Sequence, residues 1–471
     1  MKNCLAPALL AAVTLVVPAR ADDLLPVGVQ AVLAHRGIPS AAVSIDVREV
    51  GSGREVLTWQ ADVARVPASI MKLLPSLVAL ETLGPAYTWT TRAYLLGELA
   101  DGTLDGDLLL EGRGDPYLVT ERVWQLQREL RAAGLRHIDG DLLLDGSWFD
   151  VGEYDPAAFD REPLRAYNVA PHALLMNYKV ASFVFSPAAG GAVDVAIEPP
   201  LPNLAIDNRL RSTPGPCRGY QRGIAVHANA TYDRITLSGR FPAGCERYRL
   251  DRSVLSHEAY AFGLFAALWR ESGGELSGGW RTAAAPADAE PLLEFESLPL
   301  AEIVRKLNKH SNNVMTRQLL YTLGAASYGP PGTEEKGQLA IAAWLERNGL
   351  ASATLELDNG AGLSREARIA ARDMVGLLLH AWDSRLMPEF VSALPLSGID
   401  GTLSRRLRGA GLDGSAHLKT GSLDHVSSIA GFLQSTSGKR YALTLIINHD
   451  NVHRGTGDEV QDALLRWLLE R

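Results

Sequence analysis

The sequence predicts an α+β chain in which one antiparallel sheet, flanked by helices, is split by a large β-rich insertion. Three observations carry that prediction. Residues 41–59 alternate apolar and polar around Gly51-Ser52-Gly53, the pattern of a β-hairpin. A second group of strand patterns, His417–Ser422, Ser428–Gln434 and Tyr441–Asn448, comes near the end of the chain, before an amphipathic helix over Glu459–Arg471. Between the two groups, from about Trp89, short strand patterns separated by Gly, Pro and Asp run for nearly 200 residues. The two ends of the chain are therefore expected to share one sheet, with the middle forming a body of its own.

With 471 residues, 46% apolar and 21% charged, the chain is too long for one ordinary core, and two or three domains are expected. The texture divides it into 1–21, an export signal; 22–88, the first part of the sheet domain; 89–285, the insertion; and 286–471, the second part. The signal has a positive start at Lys2, an apolar stretch Leu5–Val17 and a small-x-small cleavage site, Ala19-Arg20-Ala21. That stretch is 13 residues long with Pro7 inside it, short of the ~20 that a membrane span needs. Export places the protein in the periplasm or outside the cell after cleavage near Ala21. Cleavage removes Cys4 and leaves Cys217 and Cys245, a pair that suggests a disulfide; two free thiols are the alternative. A net charge of −8 without a dense Lys/Arg run argues against nucleic acid as partner. No H-E-x-x-H occurs and the 11 histidines do not cluster, so neither a metal nor another cofactor is expected.

After the hairpin, a helix is predicted from Ser69, carrying Leu73, Leu77, Leu80 and Leu83 and ending at Gly84-Pro85. Pro75, in its second turn, removes the hydrogen bond to the Met71 carbonyl, so a kink or a local water is expected there. In the insertion, Thr91–Leu99, Gly106–Gly112, Gly140–Phe149, Ala181–Ser186, Val193–Pro199 and Arg234–Phe241 read as strands, interrupted by one helix, Glu121–Ala133. Helical periodicity returns at Leu255–Glu271, and Ala283–Pro291 reads as a linker. Helices follow at Leu298–His310, Val314–Leu323 and Lys336–Asn348. The terminal helix is expected to pack on the sheet through Leu464, Leu465 and Leu468. The competing reading, a membrane-surface anchor, is weakened by Asp462, Glu470 and the lack of a basic excess.

Three short motifs, each occurring once, carry the chemistry: Ser69-Ile70-Met71-Lys72, Ser311-Asn312-Asn313 and Lys419-Thr420-Gly421. S-x-x-K, S-D-N and K-T-G together are the signature of penicillin-binding proteins and class A β-lactamases. Only eight lysines occur in the chain, so finding one in each of two such motifs is informative. A serine hydroxyl needs a neighbour to take its proton, and Lys72, three residues on, shares a helix face with Ser69. To serve as base, Lys72 must be neutral, which calls for burial or a nearby cation, and Lys419 is the candidate. Lys419-Thr420-Gly421-Ser422 reads as an edge strand whose cation and hydroxyls suit a substrate carboxylate, with Gly421 allowing close backbone approach. Ser311 can relay a proton to the leaving amine, and Asn313 can hold the lysine and the substrate amide. The backbone N–H groups of Ser69 and Ser422 would form the oxyanion hole.

The segments PASIMKLL, GRGDPYL, NKHSNNVMTRQLL, LDNGAGLSRE, LPLSGIDGTLSRRL and LKTGSLDHVSSIAGFL resemble, in that order, one family. It is the D-Ala-D-Ala carboxypeptidase/endopeptidase family of the penicillin-binding protein 4 type, the low-molecular-mass class C penicillin-binding proteins. The resemblance implies a penicillin-binding transpeptidase/β-lactamase-like domain split by a large insertion between the first and second motifs. The 242-residue step from Ser69 to Ser311 suits that layout. It implies that Ser69 is the acylated nucleophile and Lys72 its base, with Ser311 and Asn313 as second motif and Lys419, Thr420 and Gly421 as third. Arg365, in Gly362-Leu363-Ser364-Arg365, is implied as a pocket-lining residue. The implied partners are peptidoglycan peptides ending in D-Ala-D-Ala and their cross-links, with β-lactams as covalent inhibitors. The sequence departs from the family at Asn312, where Asp is usual, and at Pro75. Two alternatives stay open: a serine β-lactamase, and a non-catalytic penicillin sensor or wall scaffold.

Overall fold

The structure, a computed structural model, describes residues 24–218, 223–409 and 411–471. The export signal and its cleavage site lie outside the described residues. Among those described, no helix is long and apolar enough to cross a membrane.

The two ends of the chain do build one antiparallel five-stranded sheet. Its order, from one edge, is Ala416–Leu423, Val426–Gln434, Arg440–Asn448, Val43–Glu49 and Glu55–Trp59. Side chains alternate across a strand, and here both faces are covered. Ile429, Leu433, Leu443, Leu445 and Ile447 pack with Val43, Ile45 and Val47 against the helices Val27–Arg36 and Thr456–Leu469. Ala430, Phe432, Ala442 and Ile446 face the other way, onto a helical layer that includes Leu73–Leu83, Leu300–His310, Asn313–Tyr328 and Ala371–Asp383. Double burial explains why Tyr441–Asn448 reads as a nearly continuous apolar run rather than an alternating one. Leu464, Leu465 and Leu468 are fully buried on the sheet, so the terminal helix is a core element and not a membrane anchor.

Between the ends lies the insertion. Strands Thr90–Ala100 and Thr103–Gly112 form the centre of a seven-stranded sheet, and Val180–Pro187 and Ala205–Pro216 each join a three-stranded sheet. Leu293–Glu296 returns to pair antiparallel with Thr90–Ala100, from Leu293 opposite Ala93 to Glu296 opposite Thr90. Helix Thr120–Ala132 turns Val123, Leu126 and Leu130 into the same core as Leu264, Phe265 and Trp269 of helix His257–Glu271.

Cys217 and Cys245 are joined by a disulfide. Thiol-specific alkylation of the unreduced, denatured protein lacking residues 1–21 is expected to label neither cysteine. Two labelled thiols, read by mass, would remove the bridge.

One expectation is corrected. Residues Ala68–Lys72 form a tight 3-10 turn and the α-helix proper starts only at Leu73. Pro75 is therefore its third residue, where a helix has no internal partner for the N–H group. The N–H that proline lacks would have had no partner inside the helix, so neither a kink nor a bridging water is called for.

Candidate active site

The Ala68–Lys72 turn that carries Ser69 is held in place from three sides. Ala68, before Ser69, has a φ of 50°, a strained value for a residue with a side chain. Gly362, at a φ of 69°, lies against the Ala68 carbonyl where any Cβ would collide. From the sheet, the Ser428 hydroxyl donates to the Pro67 carbonyl at 2.6 Å. Gly421 completes the contact: a Cβ there would stand 2.8 Å from the Pro67 oxygen and 2.9 Å from the Ser69 nitrogen. The glycine of K-T-G lets the edge strand Ala416–Leu423 touch the turn that carries Ser69.

Lys72 is fully buried at the end of that turn. Its Nζ lies 2.9 Å from Ser69 Oγ and donates to the Ala361 carbonyl at 2.5 Å. Burial, then the charges of Lys419 and Arg317, hold its amine well below the ordinary lysine range. A lowered pKa favours the neutral amine, the form in which a lysine beside a serine hydroxyl can take its proton.

Lys419 is equally buried and donates to Ser311 Oγ at 2.7 Å and to the Thr420 carbonyl at 2.8 Å. Burial pushes its pKa down to about 7. Ser311 closes helix Leu300–His310 in the left-handed conformation, φ 55°, which aims its side chain away from the helix and at the lysine. Asn312 then caps helix Asn313–Tyr328, its Oδ1 accepting from the Met315 N–H at 3.1 Å. Asn serves as well as Asp at that position, so the departure from S-D-N costs the site nothing. A buried bond from Asn308 to Ser76, 3.1 Å, ties this pair of helices to the nucleophile helix.

Asn313 differs from expectation. Its amide reaches the Tyr167 carbonyl of the insertion at 3.5 Å, and no described hydrogen bond joins it to Lys72. The lysine's second partner is instead Ala361, in the Asp358-Asn359-Gly360-Ala361-Gly362 turn, a backbone contact with no side-chain signature. Arg317 was also not anticipated: it lies one helical turn past Asn313, is nearly fully buried, and donates to the Val169 carbonyl at 2.8 Å. Thr420 is half-buried with its hydroxyl 2.9 Å from that of Thr402, and Ser422 is exposed on the edge strand. Arg365 stands farther along: its guanidinium lies 5.1 Å from the Phe159 ring and 3.9 Å from Asp424. With Leu423 and Asp424 it lines a cavity of about 320 Å³ at the end of the third-motif strand.

A model of the D-Ala-D-Ala carboxypeptidase 3 (S13) family matches residues 26–470. The chain belongs to that family. Its relatives include the D-alanyl-D-alanine carboxypeptidase of Actinomadura sp. (strain R39), 29% identical over 462 residues, 94% of this chain and 84% of that one. Among solved structures, penicillin binding protein 4 of Haemophilus influenzae superposes with a TM-score of 0.80 at 22% identity, covering 95% of this chain and 100% of that chain. The same protein complexed with a β-lactam gives a TM-score of 0.73 at 22% identity, covering 91% of this chain and 96% of that one. This S13 enzyme thus has the α+β fold expected for the penicillin-binding protein 4 type. In it, the S13 chain brings Ser69, Lys72, Ser311, Lys419 and Thr420 into one connected site.

Proposed function

We propose that this chain is a serine-type D-Ala-D-Ala carboxypeptidase, acting also as an endopeptidase on cross-links, that works through an acyl-enzyme on Ser69. The observation that carries the reading is the fully buried Lys72 Nζ, 2.9 Å from Ser69 Oγ. The peptide's terminal carboxylate sits at Lys419 and Thr420. Ser69 Oγ attacks the carbonyl carbon of the penultimate D-Ala while Lys72 takes its proton, and the backbone N–H groups of Ser69 and Ser422 hold the developing oxyanion. Ser311, bonded to Lys419, relays the proton that Lys72 took from Ser69 to the leaving nitrogen, which leaves Lys72 neutral again. The C–N bond breaks and D-Ala departs, leaving an ester on Ser69. Water, deprotonated by Lys72, then cleaves the ester and restores the serine.

Penicillins acylate the same oxygen, but their leaving amine stays tethered and shields the ester. Arg365 contributes to holding the part of the peptide upstream of the cleaved bond. The enzyme acts in the periplasm or outside the cell, after losing residues 1–21. Residues 22–88 and 286–471 form the catalytic domain around the insertion 89–285, although the pairing of Leu293–Glu296 with Thr90–Ala100 supports extending the insertion to Glu296.

The test is product analysis. Incubated with a peptide ending in D-Ala-D-Ala, the protein is expected to release D-Ala; with a penicillin, its intact mass should gain one drug, lodged on Ser69. Rapid catalytic nitrocefin hydrolysis without D-Ala release would make it a β-lactamase, and a lasting adduct without peptide turnover a sensor. Lys419→Ala is expected to slow acylation about tenfold to a hundredfold, the range for a hydrogen bond to a charged group. Equal losses with acid and amide peptides would give Lys419 a different job.

A further inference from the structure

We propose that Thr402 is a further substrate-contacting residue, its hydroxyl joining that of Thr420 to form the seat of the substrate's terminal carboxylate. The inference rests on the reading of the third-motif strand as a carboxylate anchor, and adds a residue from outside the three motifs.

The outer edge of strand Ala416–Leu423 is covered over its first half only. Ser397 N–H donates to the Ala416 carbonyl at 2.9 Å, Leu396 bridges to His417, and Leu418 N–H donates to the Pro395 carbonyl at 2.9 Å. Running antiparallel to the strand, the segment passes Ala416 and turns back through Gly398 and Gly401 at φ 69° and 58°. Beyond Leu418 no described backbone bond from that segment reaches the strand, and Lys419–Ser422 keeps an edge that an extended peptide can pair with. The returning loop brings one side chain to the open half of the strand. That side chain is Thr402, exposed, with its Oγ1 2.9 Å from Thr420 Oγ1.

The loop that carries it is fastened to the second motif. Lys309, two residues before Ser311, is buried and donates to both Asp400 carboxylate oxygens, at 2.8 and 2.7 Å, and to the Leu394 carbonyl at 2.6 Å. Asp400 also accepts from the Leu396 N–H at 2.8 Å. Between Asp400 and Thr402, a Cβ on Gly401 would lie 2.7 Å from the Lys309 carbonyl oxygen, so the backbone is pressed against the helix end. The ion pair, with Lys309 enclosed and Asp400 partly exposed, fixes the loop against the helix end. Here the position it sets is that of Thr402.

The chemistry follows from counting hydrogens. Each threonine hydroxyl has one to donate. Two hydroxyls 2.9 Å apart share one hydrogen bond between them, and a carboxylate, with two acceptor oxygens, can displace it and take one hydrogen from each. Lys419 Nζ already donates to Ser311 and to the Thr420 carbonyl, so it supplies charge while the hydroxyl pair supplies direction. A carboxylate at the end of a peptide paired to Lys419–Ser422 meets both hydroxyls, and without Thr402 it keeps only one of the two bonds.

The test compares Thr402→Val, which keeps the shape, with Thr402→Ser, which keeps the hydroxyl. Both are assayed as full-length mature protein on a peptide ending in D-Ala-D-Ala and on its C-terminal amide. The ratio of kcat/KM for acid over amide is expected to fall about tenfold in the valine variant, mostly through KM, and to hold in the serine variant. Equal losses on acid and amide would reduce Thr402 to a loop support and overturn the proposal. If the wild type prefers the acid and Thr402→Val keeps that preference, only the role of Thr402 falls. If the wild type treats acid and amide alike, the carboxylate seat falls, and with it the reading beneath.

Discussion

Protein carrying Ser69→Ala is expected to emerge unlabelled from incubation with a fluorescent penicillin, with its melting temperature within a few degrees of wild type. Ser69 is half-buried, and the change deletes one oxygen whose partner, Lys72, keeps its bond to Ala361. The fold therefore has little reason to suffer. Chemistry loses everything that passes through the ester; removing the nucleophile of a serine hydrolase costs about 10⁶ in kcat. Intact mass gives the answer directly, as the wild type gains the mass of one drug and the variant gains none. A labelled alanine variant would move the nucleophile elsewhere, with Ser311 and Ser422 as the first places to look.

The second large effect is expected from Lys72→Met, which keeps the length of the side chain and removes the amine. Loss of a general base slows the step it serves by about 10²–10⁴, so labelling should still occur but over far longer times. The pH dependence carries a sign that can be worked out. Folding holds the Lys72 pKa well below its ordinary value of 10.5, chiefly through burial. Between those two values the unfolded chain binds the proton and the folded chain does not. Stability must then rise with pH across that window, because the unfolded state binds more protons there. Burial of Lys72 costs stability at neutral pH, and the cost fades as the pH approaches 10.5. Melting of wild type and Lys72→Met in parallel, from neutral to alkaline pH, should show the wild type gaining on the variant. A constant gap would mean that Lys72 is charged in the folded protein. Acylation by the wild type should also fall as acid protonates the amine, a limb absent from the residual rate of the methionine variant.

The motifs were legible because their chemistry requires particular side chains at particular steps. Ser69 and Lys72 meet whether the turn is 3-10 or α, since three residues separate them in both. The edge position of Lys419–Ser422 was readable from alternation and from the glycine that a close approach demands. The start of helix Leu73–Leu83 was not readable, because three-residue spacing puts Ser69 and Lys72 together in a 3-10 turn as in an α-helix, and the expectation at Pro75 was misplaced with it. The lysine's second partner was equally hidden, being the carbonyl of Ala361, which any residue would supply. Helix Ala371–Asp383 did carry a signal: Met374, Val375, Leu377, Leu378 and Ala381 are all buried on the face its periodicity marks. Strands such as Ala205–Pro216, with its half-exposed and charged residues, had none.

The pairing of Val43–Glu49 with Arg440–Asn448 has a consequence for how the protein comes into being. Val43 lies opposite Ile447, a contact that joins residues from nearly opposite ends of the chain. Until Arg440–Asn448 has been made, the hairpin of Val43–Glu49 and Glu55–Trp59 is a bare two-stranded ribbon, which is at best marginally stable in water. Closing so large a loop costs entropy that grows only slowly with its length, but the closure must precede any reward from the contact. The insertion meanwhile has its entry strand zipped to its exit strand and can complete its own sheet early. Synthesis thus delivers a finished middle holding two unfinished ends, and a ribosome that stops short of Ala416 releases a chain in which Ser69 has no sheet to lie against.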